Sequence, residues 1–411
     1  MKKTVFLTYA LILTVMATGC TPRAYRDNKT MHNDTEERPV AQGNNQFAFD
    51  LLQEIPFTGN NMVVSPFSIS TALAMTYTGA RNTTMLEMAR VMHFDKDQQR
   101  FRNNFRDYLV SLQHMASNDV QLNVANSLWA QEDYHFLEQF FEINKNYFNS
   151  ETFLVNFETN REQVRKEIND WVYEETREKI KDLIVPGVLT EDTRLVLVNA
   201  IHFFGPWLTE FNPDNTRENI FYVSEAERVM ADFMHRTDTL AYAENDKLQA
   251  LELPYAGKDF SMLVLLPKHG TSLEEIHEIL DPDYYNKIIG EMQKQEVDVF
   301  LPKFEAETKF DLEDVLMKMG MVDPFTRRAD FSGMTGDLEL KIDKVIHQAM
   351  IEVAEEGTEA AAATAVVIIR KTSIDPDPRT VFMANRPFIF FIKDNQHHSI
   401  LFAGRVMNPG E

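Results

Sequence analysis

The sequence predicts an α+β fold, and three features of the 411-residue chain support that prediction. Apolar residues repeat at helical spacing through residues 46–108, with Phe101, Phe105 and Tyr108 as an example. Short β-rich runs separated by turn residues begin near residue 195. Helices and strands do not alternate as a doubly wound sheet requires. Because the chain has neither an internal repeat nor an interior linker, residues 42–411 are expected to form one domain.

The helical part divides into several predicted elements. Ser68 is a plausible N-cap for a helix that places Ile69, Leu73 and Tyr77 on one face. A later helix is predicted over residues 161–183. Farther along the chain, a strand is predicted at 346–353 and another near residue 381, and an unusual segment separates the two. The other predicted strands are 195–198, 260–266, 297–301, 388–392 and 399–406.

Composition excludes several classes of function. The chain has 41 Lys and Arg against 63 Asp and Glu, for a net charge of −22. Such an acidic protein is a poor nucleic-acid binder, because phosphate contacts need clustered cations. One cysteine excludes an internal disulfide framework and a cysteine-based zinc site. Arg100, Arg102 and Arg106 lie on one predicted helix and form either a small polyanion site or a solvated face; the acidity favours the face.

The N-terminus has the pattern of an export signal. Lys2 and Lys3 precede an apolar run over residues 5–17, which ends in Ala-Thr-Gly before Cys20. This arrangement resembles the bacterial lipoprotein box, in which the cysteine is lipidated. The resemblance implies a signal peptide over 1–19 and a flexible tether over 20–41. It also implies a lipid anchor in a bacterial membrane, with the protein facing the periplasm or the cell surface. The alternative is an ordinary signal followed by a free thiol.

Enzyme motifs are absent from the sequence. It has no G-x-S-x-G elbow, no H-E-x-x-H, no P-loop and no G-x-G-x-x-G. His397 and His398 are adjacent, so on a strand they point to opposite faces and are poor joint ligands. We therefore expect neither an enzyme nor a metal or cofactor site.

The segment after residue 353 is too long for an ordinary loop. It begins EEGTEAAAAT at residue 355, continues with the β-branched run VVII and ends at Arg370, Lys371 and two Asp-Pro pairs. By propensity the alanines favour a helix, yet small side chains also suit a strand that enters a crowded sheet. A segment of exposed apolar residues that ends in Arg-Lys is a suitable substrate for a protease that cleaves after basic residues.

Several motifs together resemble the serpin family. They are EEGTEAAAAT at 355–364, FMANRPFIF at 382–390, NMVVSPFSISTALAMTYTGA at 61–80, LVNAI at 197–201, LPY at 253–255 and LPKF at 301–304. They occur in the family's order between residues 46 and 409. The resemblance implies three β-sheets, about nine helices and an exposed reactive-centre loop at about 357–380. It also implies a monomer whose partner is a protease, which cuts the loop, is held as an acyl-enzyme and is carried along as the loop inserts into the main sheet.

The resemblance assigns roles residue by residue. The hinge, which bends and inserts first, matches Glu355, Gly357, Thr358, Glu359, Ala360, Ala361, Ala362 and Ala363. The shutter beneath the opening sheet matches Ser65, Ser68, Asn199 and His347. The breach at the top of the sheet matches Trp207, Lys303 and Glu355.

The position of the cleaved bond follows from the family's usual register, which counts 14 residues from the hinge Gly357 to Lys371, with Thr372 beyond. Residues 372–386 are longer than usual and carry two prolines, so Arg370 is the alternative. Either residue suits a trypsin-like pocket or a cysteine protease with basic preference. An elastase-like enzyme would instead cut after Val367 or Ile369. A non-inhibitory serpin that acts as a binding protein is the second functional hypothesis.

Overall fold

The computed structural model describes residues 39–116, 120–358 and 379–410. Within them it confirms the α+β fold, with ten α-helices where about nine were expected. The helices are α1 Val40–Glu54, α2 Pro66–Tyr77, α3 Asn82–Val91, α4 Gln98–Met115, α5 Glu138–Phe148, α6 Phe157–Glu175, α7 Leu273–Ile279, α8 Pro282–Glu291, α9 Glu313–Lys318 and α10 Ser332–Thr335. The strands are β1 Met62–Val64, β2 Gln121–Gln131, β3 Ser150–Val155, β4 Leu195–Pro206, β5 Arg217–Tyr222, β6 Arg228–Glu244, β7 Leu248–Pro254, β8 Phe260–Pro267, β9 Gln293–Pro302, β10 Phe304–Asp311, β11 Ile346–Val353, β12 Gly357–Thr358, β13 Thr380–Met383, β14 Phe388–Asp394 and β15 Ile400–Val406.

The main sheet has six strands in the order β10-β11-β12-β4-β2-β3. Among the described residues, its two halves meet only at β12. Val353 of β11 pairs with Thr358, and Gly357 and Thr358 pair with Pro206 and Gly205 of β4. Below these pairs the described strands β4 and β11 share no ladder, and we call the space between these two described strands the gap.

Two further sheets share the 17-residue strand β6. One end of β6 pairs with β5 and β9, and β9 continues to β13. The other end pairs with β7, from which the path runs through β8, β14 and β15 to β1. Strands β8, β14 and β15 are buried along their whole length, because helices and the main sheet cover both of their faces.

Helix α6 lies on the outer face of the main sheet. Its buried residues Val164, Ile168 and Val172 pack with Trp129 of β2 and Val198 of β4 in a separate hydrophobic cluster. Asn156 caps its first turn by accepting from the Thr159 amide. The chain that follows α6 reaches β11 and β10, where Lys179 pairs with Glu352 and the Asp182 carbonyl accepts from Lys309 Nζ.

The structure corrects two of the predicted helices. Ser65, not Ser68, caps α2, because Pro66 supplies the first helical residue and the Ser68 amide donates to the Ser65 hydroxyl. The helix predicted over 161–183 is instead Phe157–Glu175. It stops there because Arg177 and Glu178 adopt left-handed backbone angles, with φ of 51° and 67°.

Strands β2 and β3 lie among the helices of the first half and were not predicted. Polar residues such as Asn123, Asn126 and Ser127 interrupt the apolar pattern of β2, so the alternation that identifies a strand is weak there. In the part of the chain that the structure describes, no helix combines the length and the apolar character that crossing a membrane requires.

Candidate functional site

The shutter residues come together beneath the gap, at the first turn of α2. The Ser65 hydroxyl donates to the Leu401 carbonyl at 2.7 Å and accepts from the Ser68 amide at 3.1 Å. The Ser68 hydroxyl donates to the Asn199 side-chain oxygen on β4. The Ser65 amide donates to His347 Nε2 on β11 at 3.0 Å. Both strands that border the gap are therefore hydrogen-bonded to one helix terminus, and we call these four residues the shutter cluster.

His347 is 5% exposed, and burial lowers its pKa to about 3. The bond from the Ser65 amide requires a lone pair on Nε2, so the imidazole is neutral and its proton is on Nδ1. A protonated ring would lose this acceptor and leave a charge inside the sheet. The shutter cluster is therefore a network of neutral hydrogen bonds.

Asn126 of β2 extends the shutter cluster away from the gap and was missed from the sequence. Its side-chain oxygen accepts from Asn199 Nδ2 at 2.6 Å, and its Nδ2 donates to the Phe148 carbonyl at the end of α5 at 2.8 Å. A buried asparagine in a strand is the signal that could have found it, since such a side chain must have partners. Asn126 links α5 to the strand that borders the gap.

The breach residues lie at the upper end of the gap. Lys303 Nζ is 2.9 Å from the Glu355 carboxylate, which also accepts from the Thr216 hydroxyl at 2.8 Å. Burial pushes the pKa of Glu355 upward, but the bonds from Lys303 and Thr216 outweigh burial and hold this pKa below its usual value. Trp207 Nε1 donates to the Ala354 carbonyl at 3.0 Å. Together these contacts fix the chain immediately before the hinge.

The first hinge residues already form a strand, β12. Gly357 lies against β4 so closely that an added Cβ would be 2.2 Å from the Gly205 carbonyl oxygen, so no other residue fits. Thr358 is 1% exposed, and its hydroxyl lies 2.6 Å from the hydroxyl of Tyr255. Tyr255 stacks on Trp207 with ring centroids 4.8 Å apart. Thr358 is thus inserted between the two halves of the sheet.

The gap widens from top to bottom. Just below Thr358, the free space beside Ile201, Phe203 and Ile351 is about 20 Å³. At the lower end, a cavity of about 880 Å³ lies between β4, the start of β11, α2 and the chain after α6. Its lining includes the shutter cluster residues Ser68, Asn199 and His347 and the apolar side chains Ile69, Leu73, Leu189, Val196, Leu340 and Ile342. A strand could occupy this space without displacing a packed core.

The remaining predicted residues lie outside the described part of the chain. They are Cys20, Glu359, Ala360, Ala361, Ala362, Ala363, Arg370, Lys371 and Thr372. Among the described residues, no group of three or more His, Cys, Asp or Glu side chains could hold a metal ion.

Among the described residues, β12 alone joins β11 to β4, and the predicted breach and shutter residues border the space below it. The family model described as "Serpin (serine protease inhibitor)" matches residues 42–409. The chain therefore belongs to the serpin family, whose members are generally protease inhibitors.

Individual relatives agree with this assignment. An uncharacterized serpin-like protein of Thermococcus kodakarensis is 40% identical, and the match covers 100% of this chain and 99% of that protein. The leukocyte elastase inhibitor of Sus scrofa is 36% identical over 90% of this chain and 99% of its own. Among solved structures, a cleaved, loop-inserted ovalbumin mutant has a TM-score of 0.82 and 28% identity, covering 90% of this chain and 100% of that one.

His347 makes stability depend on pH. Its folded pKa of about 3 lies below the value near 6.5 of an unfolded histidine. The stability gained by keeping it neutral is therefore complete above about pH 6.5 and is lost as the pH falls toward the folded pKa. Relative to His347→Gln, wild type should lose about 3 kcal/mol of unfolding free energy by about pH 4.

Urea unfolding of both proteins at several pH values between neutral and mildly acidic measures this difference. His269→Gln, at an exposed turn after β8, is the control and should keep the wild-type pH dependence. Equal pH slopes for wild type and His347→Gln would show that the ring does not carry the effect.

Proposed function

We propose that this serpin inhibits proteases that cleave after Lys or Arg, by the suicide-substrate mechanism. The target cleaves the loop, remains attached as an acyl-enzyme and is displaced when the loop inserts into the gap. The observation that carries the proposal is β12. Gly357 and Thr358 occupy the top of the gap, while the edges of β4 and β11 below them share no ladder.

The register of β12 specifies where the rest of the loop would lie. Thr358 is opposite Gly205 of β4 and Val353 of β11, and both pairings are antiparallel. Continued residue by residue, this register places Thr364 level with both Asn199 and His347. Since side chains alternate along a strand, Thr364 would face inward as Thr358 does. Its hydroxyl would then meet the shutter cluster, which supplies both donors and acceptors.

The same register gives the distance over which a protease would be carried. From Thr358 to Lys371 there are 13 residues, which at about 3.3 Å each span roughly 43 Å. An acyl-enzyme attached at Lys371 would move from the top of the main sheet to its lower end. Attachment at Val367 would shorten this displacement by about a third, so cleavage at Lys371 suits the mechanism better.

Inhibition requires that insertion outpace hydrolysis of the acyl-enzyme. The intact chain leaves strand edges unfilled, so it is a kinetically trapped state from which insertion releases free energy. The inserted strand would gain main-chain hydrogen bonds on both sides, as in strand addition. A hinge that has already entered shortens the path to the inserted state.

Two measurements test the proposal. Incubation with trypsin should give a detergent-stable band near the sum of the two masses. Nicking the loop with a protease that is not trapped should raise the melting temperature, because the cut loop fills the gap. Absence of both effects would favour the second hypothesis, a non-inhibitory binding protein.

Thr358→Arg should convert the inhibitor into a substrate. Arginine in place of a side chain that is 1% exposed would bury an unpaired charge at a cost of several kcal/mol. Because Thr358 is already buried in the intact chain, arginine should expel β12 from the sheet, and insertion would then have to bury the charge. A barrier raised by ~3 kcal/mol slows insertion about a hundredfold, so hydrolysis should win. We expect cleaved serpin, active protease and no covalent complex on a denaturing gel.

Two variants serve as controls for Thr358→Arg. Thr358→Ser keeps the hydroxyl that meets Tyr255 and should still inhibit. Glu356→Arg places the same charge on a less buried side chain two residues earlier and should also inhibit. Wild-type stoichiometry in Thr358→Arg would contradict insertion led by this residue.

Lys371→Glu should lower the rate of association with trypsin by orders of magnitude, because the acidic floor of a trypsin-like pocket repels a carboxylate. Lys371→Arg keeps the charge and should preserve the rate. Sequencing of the cleaved loop identifies the bond. Unchanged inhibition by Lys371→Glu, with cleavage after Arg370, would move the reactive bond one residue upstream.

Cys20 is proposed to carry a lipid that anchors the chain to a bacterial membrane. More than one acyl chain on this cysteine would make the anchoring stable. Cys20→Ser should release the protein from the membrane fraction or block its processing, whereas Thr21→Ala should leave it in place. Equal membrane fractions for Cys20→Ser and wild type would exclude the anchor.

A further inference from the structure

Three side chains where α4 meets the turn between β14 and β15 form a row of hydrogen bonds that the proposed inhibition does not use. The Ser111 hydroxyl of α4 lies 3.5 Å from His397 Nε2, and His397 Nδ1 lies 3.2 Å from the Asp394 carboxylate. Serine, histidine and aspartate in this order have the arrangement of a catalytic triad, which is recognised by geometry and not by position in the sequence. Ser111 and His397 are 286 residues apart, so no local motif indicates the arrangement.

The partners of His397 define which ring nitrogen carries the proton. Its Nδ1 faces the Asp394 carboxylate, which can only accept a hydrogen bond, so the proton lies on Nδ1. The lone pair of Nε2 is then directed at Ser111, and the Ser111 hydroxyl donates to it. The bond is long, as the bond between a nucleophile and its base often is before a substrate is bound. Its direction is the one that removal of the serine proton requires.

Asp394 is held rigidly behind the histidine. Its carboxylate is fully buried and also accepts from the Ser399 amide at 3.1 Å and the Tyr108 hydroxyl at 3.2 Å. Burial, with the charge of Asp394 as a further cause, raises the pKa of Tyr108 well above its usual value, so the phenol keeps the proton that it donates. The Tyr108 ring meets the His397 ring edge-on, with centroids 5.2 Å apart. The imidazole is therefore oriented by both neighbours.

Exposure is graded along the row as hydrolysis requires. Asp394 is inaccessible, the His397 side chain is 29% exposed and Ser111 is partly exposed, so a small molecule can reach the hydroxyl. The buried cation next to Asp394, Lys393, is paired with Glu252 at 2.8 Å. Asp394 would cap this turn through the backbone amides whatever residue stood at position 397. The contact that capping does not explain is the one from His397 to Ser111.

We propose that Ser111 is a nucleophile that hydrolyses aryl esters of short carboxylic acids, with His397 as its general base. Ser111 Oγ forms a bond to the ester carbonyl carbon while its proton passes to His397 Nε2. The bond from the acyl carbon to the aryl oxygen breaks, and the phenol leaves with that proton. A water molecule then loses a proton to Nε2 and attacks the acyl-serine, which releases the acid and restores the Ser111 hydroxyl. Asp394 stabilises the positive charge on the ring during both steps.

The position of Ser111 in a helix limits the substrate class. As an interior residue of α4, it donates its own amide to the carbonyl of Asp107, four residues earlier. That amide is therefore not free to stabilise the oxyanion of the reaction. The absence of one such donor slows acyl transfer by about 10² to 10³. An aryl ester, which has a good leaving group, tolerates this loss, whereas a peptide or an alkyl ester does not.

The test uses purified chain and para-nitrophenyl acetate. We expect a burst of about one nitrophenolate per chain, because without an oxyanion donor the acetyl-serine is hydrolysed slowly. Mass spectrometry of the quenched protein should place the acetyl group on Ser111. Ser111→Ala should melt at the wild-type temperature and lose the burst, and Ser111→Cys should keep it. Lys371→Glu should also keep it, because the activity does not depend on the reactive-centre loop.

His397→Gln should slow acetylation of Ser111 about a hundredfold, the usual contribution of a general base. His398→Asn is the matched control. It removes the next histidine, which is exposed, and asparagine tolerates the φ of 56° at that position. This variant should react at the wild-type rate.

Two results would overturn the inference. One is a burst that persists in Ser111→Ala, with acetyl groups on lysines or other histidines. The other is equal acetylation of Ser111 in wild type, His397→Gln and His398→Asn, since the imidazole would then not activate the serine.

Discussion

The inner edges of β4 and β11 face each other across the main sheet, and in the described structure only β12 joins them. Backbone amides and carbonyls on such edges need partners, and a strand of the chain's own loop is a partner that fits both. A backbone hydrogen bond contributes about 1 kcal/mol net, so filling positions 359–368 with bonds on both sides would represent on the order of 10 to 20 kcal/mol. In the proposed mechanism, the contacts at the two ends of the gap control when loop insertion can release this free energy.

Those contacts differ in kind at the two ends of the gap. At the top, Lys303 and Glu355 form an ion pair whose lysine side chain is 41% exposed, so solvent weakens it and it contributes about 1 kcal/mol or less. At the bottom, the shutter cluster is neutral and buried around His347. Breaking the shutter cluster leaves buried polar groups without partners, so each broken bond costs more free energy than the exposed ion pair at the top does. The hinge has entered at the end that is easier to open.

The sequence predicted the α+β class because helical spacing in the first half gives way to short β-rich runs, and several separated motifs that resemble one family then implied the three-sheet arrangement. The predictions of individual helix ends and contacts were wrong or incomplete where local sequence signals compete. Ser65 and Ser68 are both good N-caps, and only the proline at Pro66 decides between them. The end of α6 depends on left-handed backbone angles at Arg177 and Glu178. Neither residue is a glycine, so the sequence did not mark this helix end. Asn126 was missed because the polar residues of β2 hid the strand, so its burial was not predicted, and its partner Asn199 lies 73 residues away.

The sizes of the side chains along the loop sequence also match the free space at successive positions along the gap. If the loop inserts in the β12 register as proposed, residues 360 and 362 would come level with Phe203 and Ile201, where the free space is about 20 Å³, and both are alanine. Residues 366 and 368 would come level with the cavity of about 880 Å³, and they are valine and isoleucine.

Side-chain volume therefore increases along the loop as the space available to it increases. A close-packed interior tolerates neither an overfilled narrow end nor an empty wide one, so the order of small before large residues matters as much as their apolar character. After the proposed insertion Thr364 would fall at the transition, level with Asn199 and His347, where a polar side chain would have partners. The order of residues in the loop sequence is therefore the order that the proposed insertion between the described strands β4 and β11 requires.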